Sequence, residues 1–375
     1  MYTGPNFNHR DLVFGIDTGF TSAGSTSTSS TRHFKGEPTV NLAPSDFANW
    51  GTEGSAQRIL TENTYEGQPT YNCRTTVGES WRGIDTTVSG LRTSAGSSGT
   101  VTMSCMVRNN NASAYSMYAY VGYDFGSTRV IPANGIWQKI QWTVNVSSML
   151  SDYVEFRPYT NSDTIYLEMT KPQVEINKGH ATTYTETSRS NTNSLLDLST
   201  NKHPVNVSNI SFDGDAMPVF DGTDDVIDIT SNLGIHSSYT FEYVAQSNAG
   251  SKMPIGSRNA TSFYRYGGSS WRYTHGGTGG EFYTPTGGKQ TGWMHTVIVY
   301  SGYSLTVYEN NIVLGTTTPT NGTADFSAGL RIGTWASSSS YTWNGIIPVL
   351  KMYSRALLAE EVAHNFNIYK NRFDF

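Results

Sequence analysis

Charge is scarce in this chain. Only 15% of its 375 residues are charged, against about 25% in typical soluble domains. The formal net charge of −5 is spread along the sequence without any run of lysine or arginine. A nucleic-acid partner needs such a basic footprint, so none is expected. Long apolar runs are missing too: nothing approaches the ~18 residues of a membrane helix, and no membrane insertion is expected. The opening residues MYTGPNFNHRDLVF lack the basic start and apolar centre of a signal peptide, and imply a soluble protein made in the cytosol. Cysteine is nearly absent. Cys73 and Cys105 are too few for a disulfide framework and carry no metal-ligand spacing, which leaves one bridge or two separate buried thiols as the readings. The eight histidines form no HxxxH or HxH pair, so zinc has no support.

What the chain has is aromatics, at 13%, among abundant Gly, Ser, Thr and Asn. That mixture favours strands and turns. Its length suits two domains, since single cores stop growing near ~250 residues. Apolar and polar residues alternate in TVTMSCMVRN (100–109), YSMYAYVGY (115–123), WQKIQWTVNV (137–146), YTFEYVAQ (239–246), MHTVIVY (294–300) and SLTVYENNIVLG (304–315). This is the period that sets one strand face on a core. The ENN in the last segment marks a tight hairpin, because Asn tolerates left-handed backbone. Many short strands without intervening helical patterns predict an all-β fold of antiparallel sandwiches. One helix is expected, in LLAEEVAHNFNIY (357–369), with Leu358, Val362, Phe366 and Tyr369 on its apolar face. The Ser/Thr-rich stretch 19–34 reads as a flexible connector, and a second break in composition falls at 180–193.

NGIIPVLKMYSRALLAEEVAHNFNIYKNRF (344–373) resembles the closing strand and helix of laminin G-like, concanavalin A-type lectin domains. FDGTDDVIDI (220–229) and SLLDLSTNKHP (194–204) resemble that family's early strand and its DLSG turn. DLVFGIDTG (11–19) looks like the same domain's opening strand, although the turn follows much later than usual. The economical reading is an insertion at an exposed loop. In the intervening stretch, NLAPSDFANW (41–50) and IYLEMTKPQVEINKGHATTYTETSRS (165–190) look like jelly-roll modules of the carbohydrate-binding type. The resemblance therefore implies an arm and first strand at 1–20, a linker at 21–33, an inserted jelly roll at 34–188 and the lectin-like sandwich at 189–375. With the bare start and the K-x-R-F tail, the whole looks most like head-fibre, tail-fibre or capsid-decoration proteins of tailed bacteriophages.

Three aspartates, Asp221, Asp224 and Asp225, crowd the FDGTDD stretch. A turn explains them, whereas calcium needs six to eight oxygens. Asp197 and Asn201 could add to a shell, but Pro348 and Val349 stand where calcium-binding relatives carry a further acid. No cofactor is therefore expected, with calcium the single alternative. No E-x-D-x-x-E strand motif, GxSxG elbow or phosphate-cradling glycine loop is present, and Asp225 and Asp228 would face opposite sides of a strand. The glycine-rich YRYGGSSWRYTHGGTGGEFY (264–283) reads as hairpins. No enzyme is expected. Flat aromatic faces beside hydrogen-bonding side chains suit sugars, which makes Trp81 with Arg82, and Trp271 with Arg272 and Tyr273, the carbohydrate-binding candidates. Trp137 and Trp142 are expected in the core or at its rim. The resemblance implies a virion-surface protein that associates with other virion proteins, forms homo-oligomers such as trimers and meets host surface glycans. Its alternatives are a cement or connector without sugar binding, and a polysaccharide depolymerase.

Overall fold

The computed structural model describes residues 10–18, 36–53, 56–75, 83–96, 99–146, 151–158, 165–213, 217–248, 253–266, 271–276, 282–283, 291–335, 338–373 and 375. Residues 19–35, which include the whole of the expected connector, lie outside them. The chain divides into two compact units, an outer one of Met1–Glu37 with Ser190–Phe375 and an inner one of Pro38–Arg189. Both are all-β with antiparallel pairing throughout the described strands.

In the outer unit, an eight-stranded sheet runs from Ser211–Phe212 through Pro218–Asp221, Asn344–Tyr353, Ser238–Ser247, Gly292–Ser301 and Ser304–Glu309 to Ile312–Thr317. The strand Leu12–Asp17 also belongs to it, pairing with the closing strand from Val349 to Tyr353. Along the same closing strand, Ile346 back to Asn344 pairs with Val219–Asp221. Pro348, which has no N–H to give a ladder, sits between these stretches and accepts from Thr18 N at 2.8 Å. A seven-stranded sheet faces the first, in the order 206–208, 226–229, 330–332, 255–257, 263–266, 271–274, 282–283. Alternation supplies the core between them: Ile227 and Ile229 from one sheet, and Phe14, Ile16, Phe241 and Ile298 from the other.

The ENN hairpin forms as expected, with Asn310 and Asn311 at φ 49° and 66°. The C-terminal helix is Ala359–Tyr369, with Val362 and Tyr369 buried. Leu358 departs from expectation: it is the exposed residue preceding the helix, and its N–H donates to Glu361 Oε2 at 2.9 Å. A second short helix, Leu91–Ala95, lies in the inner unit.

The inner unit has a five-stranded sheet, ordered 138–145, 100–109, 165–176, 68–75, 57–65. Opposite is a six-stranded sheet, ordered 129–131, 115–121, 153–158, 84–87, 51–52, with Asp124–Phe125 also on 115–121. Val101, Met103, Cys105 and Val107 alternate into the core with Ile140, Trp142 and Val144. Trp142 is buried there, its Nε1 donating to Ser127 O at 2.8 Å. Trp137 sits at the rim, its ring 4.8 Å from that of Tyr65. Cys73 and Cys105 are both buried and free, and burial pushes the Cys73 thiol up to about 12, so neither is a ready nucleophile.

Candidate functional site

Of the residues singled out in the sequence, Trp81 and Arg82 lie outside the described residues, as does the Trp271 side chain. Tyr273 is corrected by the structure. It is 0% exposed and its Oη lies 2.7 Å from Tyr239 Oη, so it offers no ring face to a sugar. Arg272 is half-buried, and its neighbour's burial follows from strand alternation: successive side chains leave opposite faces, so the two cannot share one surface.

The aspartate trio closes a turn. Asp221 N donates to Asp225 Oδ2 at 2.6 Å, Thr223 N to Asp221 Oδ1 at 2.7 Å, and Asn209 Nδ2 to Asp224 Oδ2 at 2.8 Å. Gly222 between them takes φ 86°, which only glycine adopts freely. The three carboxylates lie within 4.8 Å of one another. Burial, then Asp221 and Asp224, push Asp225 up to about 6. Asp197, the other acid considered for such a shell, is already engaged: its carboxylate accepts from Gly15 N on the first strand and from Ser199 and His203 N of its own loop.

A different surface gathers more chemistry. On the six-stranded sheet of the inner unit, Met117, Ala119 and Val121 point to the core, which turns Tyr118 and Tyr120 to the outer face. Register sets a row across five strands: Phe125 opposite Tyr120, Tyr120 opposite Glu155, Glu155 opposite Asp85, and Asp85 opposite Gly51. Rings occupy one end and carboxylates the other. Tyr120 and Phe125 have centroids 5.1 Å apart, and Tyr123, at the turn, meets Tyr120 edge-on at 6.0 Å. Tyr123 is 59% exposed and Phe125 54%, so this end opens to solvent.

Arg157 organises the row. Its guanidinium lies over the Tyr120 ring at 4.0 Å, pairs closely with Glu155 Oε2 and reaches Glu53 Oε2 at 3.4 Å. Such a cation over a ring adds attraction beyond the ion pair. Tyr153 Oη lies 3.3 Å from Glu155 Oε2 and 3.4 Å from Glu53 Oε2, and also bonds Asp85. Glu155 is 0% exposed, and its Oε1 has no hydrogen-bond partner. Burial pushes its carboxyl up to about 7, against the opposing pull of Arg157. Asp85 is raised as well, by burial and then by the Glu53 charge. The sequence carried one trace of this site: the phase of YSMYAYVGY left over by the core holds tyrosines, where a solvated strand would show polar residues.

Residues 221–363 match the family model Laminin_G_3, the Concanavalin A-like lectin/glucanases superfamily. No curated protein matches the chain. Among solved structures, domain 4 of AbnA, a GH43 extracellular arabinanase from Geobacillus stearothermophilus, in complex with arabinotriose, is similar at 14% identity and a TM-score of 0.37, over 45% of this chain and 90% of that one. The binding domain of botulinum neurotoxin serotype D/C is similar at 13% identity and a TM-score of 0.39, over 48% of this chain and 50% of that one. A mutant of Trypanosoma rangeli sialidase gives 14% identity and a TM-score of 0.36, over 48% and 30%. The chain thus spans about half the toxin binding domain and less of the sialidase.

Proposed function

We propose that this chain is a non-catalytic structural component of a tailed-bacteriophage particle, a fibre, appendage or capsid decoration, that recognises host surface glycans along the Phe125–Tyr120–Glu155–Asp85 row. The observation that carries the reading is the open end of the row: Tyr123 and Phe125 are exposed on a rigid sheet, braced by the buried, Arg157-covered Tyr120, and exposed ring faces of this kind stack on a sugar's apolar face. The family match over 221–363 supports a lectin-like character for the outer unit. Adhesion then comes from many weak contacts, since copies repeated on a particle, as homo-oligomers such as trimers beside other virion proteins, gain avidity without new chemistry. The aspartate trio serves as a turn with no resident metal.

The test is binding of the purified chain and of intact particles to a glycan array, with Tyr120→Ala, Trp81→Ala and Trp271→Ala compared. Weak binding by the chain, strong binding by particles and loss on Tyr120→Ala are expected. Particles that lose stability yet keep full adsorption in these variants would replace adhesion with a cementing role.

One observation favours a depolymerase as the second reading: a carboxyl held near 7 beside another carboxylate is what glycoside hydrolysis uses. Against it, Glu155 is fully buried with one oxygen committed to Arg157, and a general acid must reach its substrate. Release of reducing ends from host polysaccharide would decide for the enzyme.

A further inference from the structure

The polar pocket beneath the C-terminal helix holds more chemistry than a helix contact needs. Glu242 and Lys351 stand directly opposite each other on neighbouring strands. Phe241, Tyr243, Leu350 and Met352 turn to the core between the sheets, so alternation sends Glu242 and Lys351 to the other face. There the helix Ala359–Tyr369 meets them, Asn365 at Glu242 and Tyr369, one turn on, at Lys351. Glu242, Lys351 and Asn365 are each 0% exposed. Lysine is almost never buried so completely, and apolar side chains of similar volume often hold an element as well as a buried ion pair does. Asparagine also ranks low as a helix former. Holding the helix to the sheet does not by itself account for this trio.

Its geometry supplies a reason. Glu242 Oε2 lies 2.9 Å from Asn365 Nδ2 and 3.7 Å from Lys351 Nζ, so one carboxylate oxygen serves both an amine and a carboxamide nitrogen. His295 Nε2 fixes the other oxygen at 2.9 Å, and Tyr353 Oη lies 3.3 Å from Oε2. Asn365 Oδ1 is buried without a hydrogen-bond partner among the described residues, which leaves the carbonyl end of the carboxamide unrestrained. Burial pushes the Lys351 amine down against the pull of Glu242, and the uncharged amine is the nucleophilic form. Burial pushes the Glu242 carboxyl up, but Lys351 and His295 outweigh it and keep the group a base. The rings of Phe366, Tyr369 and Phe375 gather around His295, itself 0% exposed, so water is kept from competing.

We propose that Lys351 and Asn365 join in an intramolecular amide, with Glu242 as the proton carrier. Lys351 Nζ attacks Asn365 Cγ, and Glu242 Oε2 takes one proton from Nζ and passes it to Nδ2. The Nζ–Cγ bond forms, the Cγ–Nδ2 bond breaks and ammonia leaves. No oxidant, metal or second substrate enters. The ion pair of Lys351 with Glu242 is the arrangement before reaction. The flexible lysine stem swings from the Tyr369 hydroxyl to the carboxamide, and confinement of both reactants in one pocket takes the place of an activating agent. The product ties the helix Ala359–Tyr369 to the closing strand Asn344–Tyr353, so the helix cannot peel from the sheet. The glycan row lies within Pro38–Arg189 and is independent of this bond.

The experiment is intact mass spectrometry of the purified full chain, denatured after overnight incubation at neutral pH. The mass is expected to fall short of the sequence mass by one ammonia, and digestion should yield a branched peptide carrying Lys351 and Asn365. The branch separates the amide from a succinimide at Asn365, which loses the same ammonia without involving Lys351. Asn365→Asp should close the same bond with loss of water instead, whereas Asn365→Ala and Glu242→Gln should keep their full masses. A natural chain at full sequence mass, or one without the branched peptide, overturns the proposal. That result is read on the natural chain, so it stands even where a variant fails to fold.

Discussion

His275 and Asp225 show how single buried groups set pH behaviour in the outer unit, in opposite directions. His275 Nδ1 lies 2.8 Å from Tyr239 Oη and its Nε2 lies 3.0 Å from Asn321 O, while burial pushes its pKa down to about 4. The folded state therefore keeps the ring neutral. Its contribution is complete above the ordinary value near 6.5 and is lost as pH falls toward 4. Calorimetry should show the melting temperature of the outer unit dropping across that window, and His275→Gln should flatten the drop. Asp225 works the other way. Its carboxyl, raised to about 6, favours the folded state when protonated, a contribution present below about 4 and lost as pH rises through 6. Asp225→Asn should melt higher than the natural chain at pH 7.5, with the gap closing toward pH 4. At this scale the sequence told part of the story. FDGTDD is a turn whose glycine and side-chain acceptors are written in order, so it was legible. Tyr273 was not, because a strand flanked by glycines looks exposed until the opposing sheet supplies Tyr239 to cover it. The acids of the row escaped for a similar reason: Glu53, Asp85 and Glu155 are spread over about a hundred positions and meet only through sheet register.

Elements carry the next level of consequence, and the C-terminal helix is the clearest. The polar phase of the strand Ser238–Ser247 reads as solvent-facing, yet Glu242 is buried. The helix lies over that phase and brings Asn365 Nδ2 to the carboxylate at 2.9 Å, while neighbouring strands bring His295 Nε2 at 2.9 Å, Tyr353 Oη at 3.3 Å and Lys351 Nζ at 3.7 Å. Lys351 also bonds the Tyr369 hydroxyl. Removing one partner of a buried ion pair strands the other, so Lys351→Met should cost about 3–5 kcal/mol in urea unfolding. A loss below about 1 kcal/mol would mean the pair is not closed off from water. The helix was legible from Val362, Phe366 and Tyr369 at helical spacing; Leu358 was misplaced because an apolar residue one turn earlier continues the stripe on paper, while its backbone is extended at φ −74° and ψ 157°.

For the whole molecule, the chain's first described strand and its closing strand meet in one sheet, with Phe14 and Ile16 fully buried in the outer core. Phe14→Ala should therefore cost about 3–5 kcal/mol although it lies near the start of the chain. The alternating segments made the sandwich class legible, and DLVFGIDTG was recognisable as an opening strand. Periodicity alone could not say which sheet it would enter, because register is fixed by partners far away in sequence. Every residue of the aromatic–carboxylate row falls within Pro38–Arg189, and glycan recognition at that row is the central claim. Hydrogen–deuterium exchange of the full chain with and without a saturating oligosaccharide tests it most directly. Protection concentrated in the strands Tyr115–Val121 and Tyr153–Pro158 and the turn at Tyr123 is expected. Protection confined to the outer unit, with these strands unchanged, would contradict it.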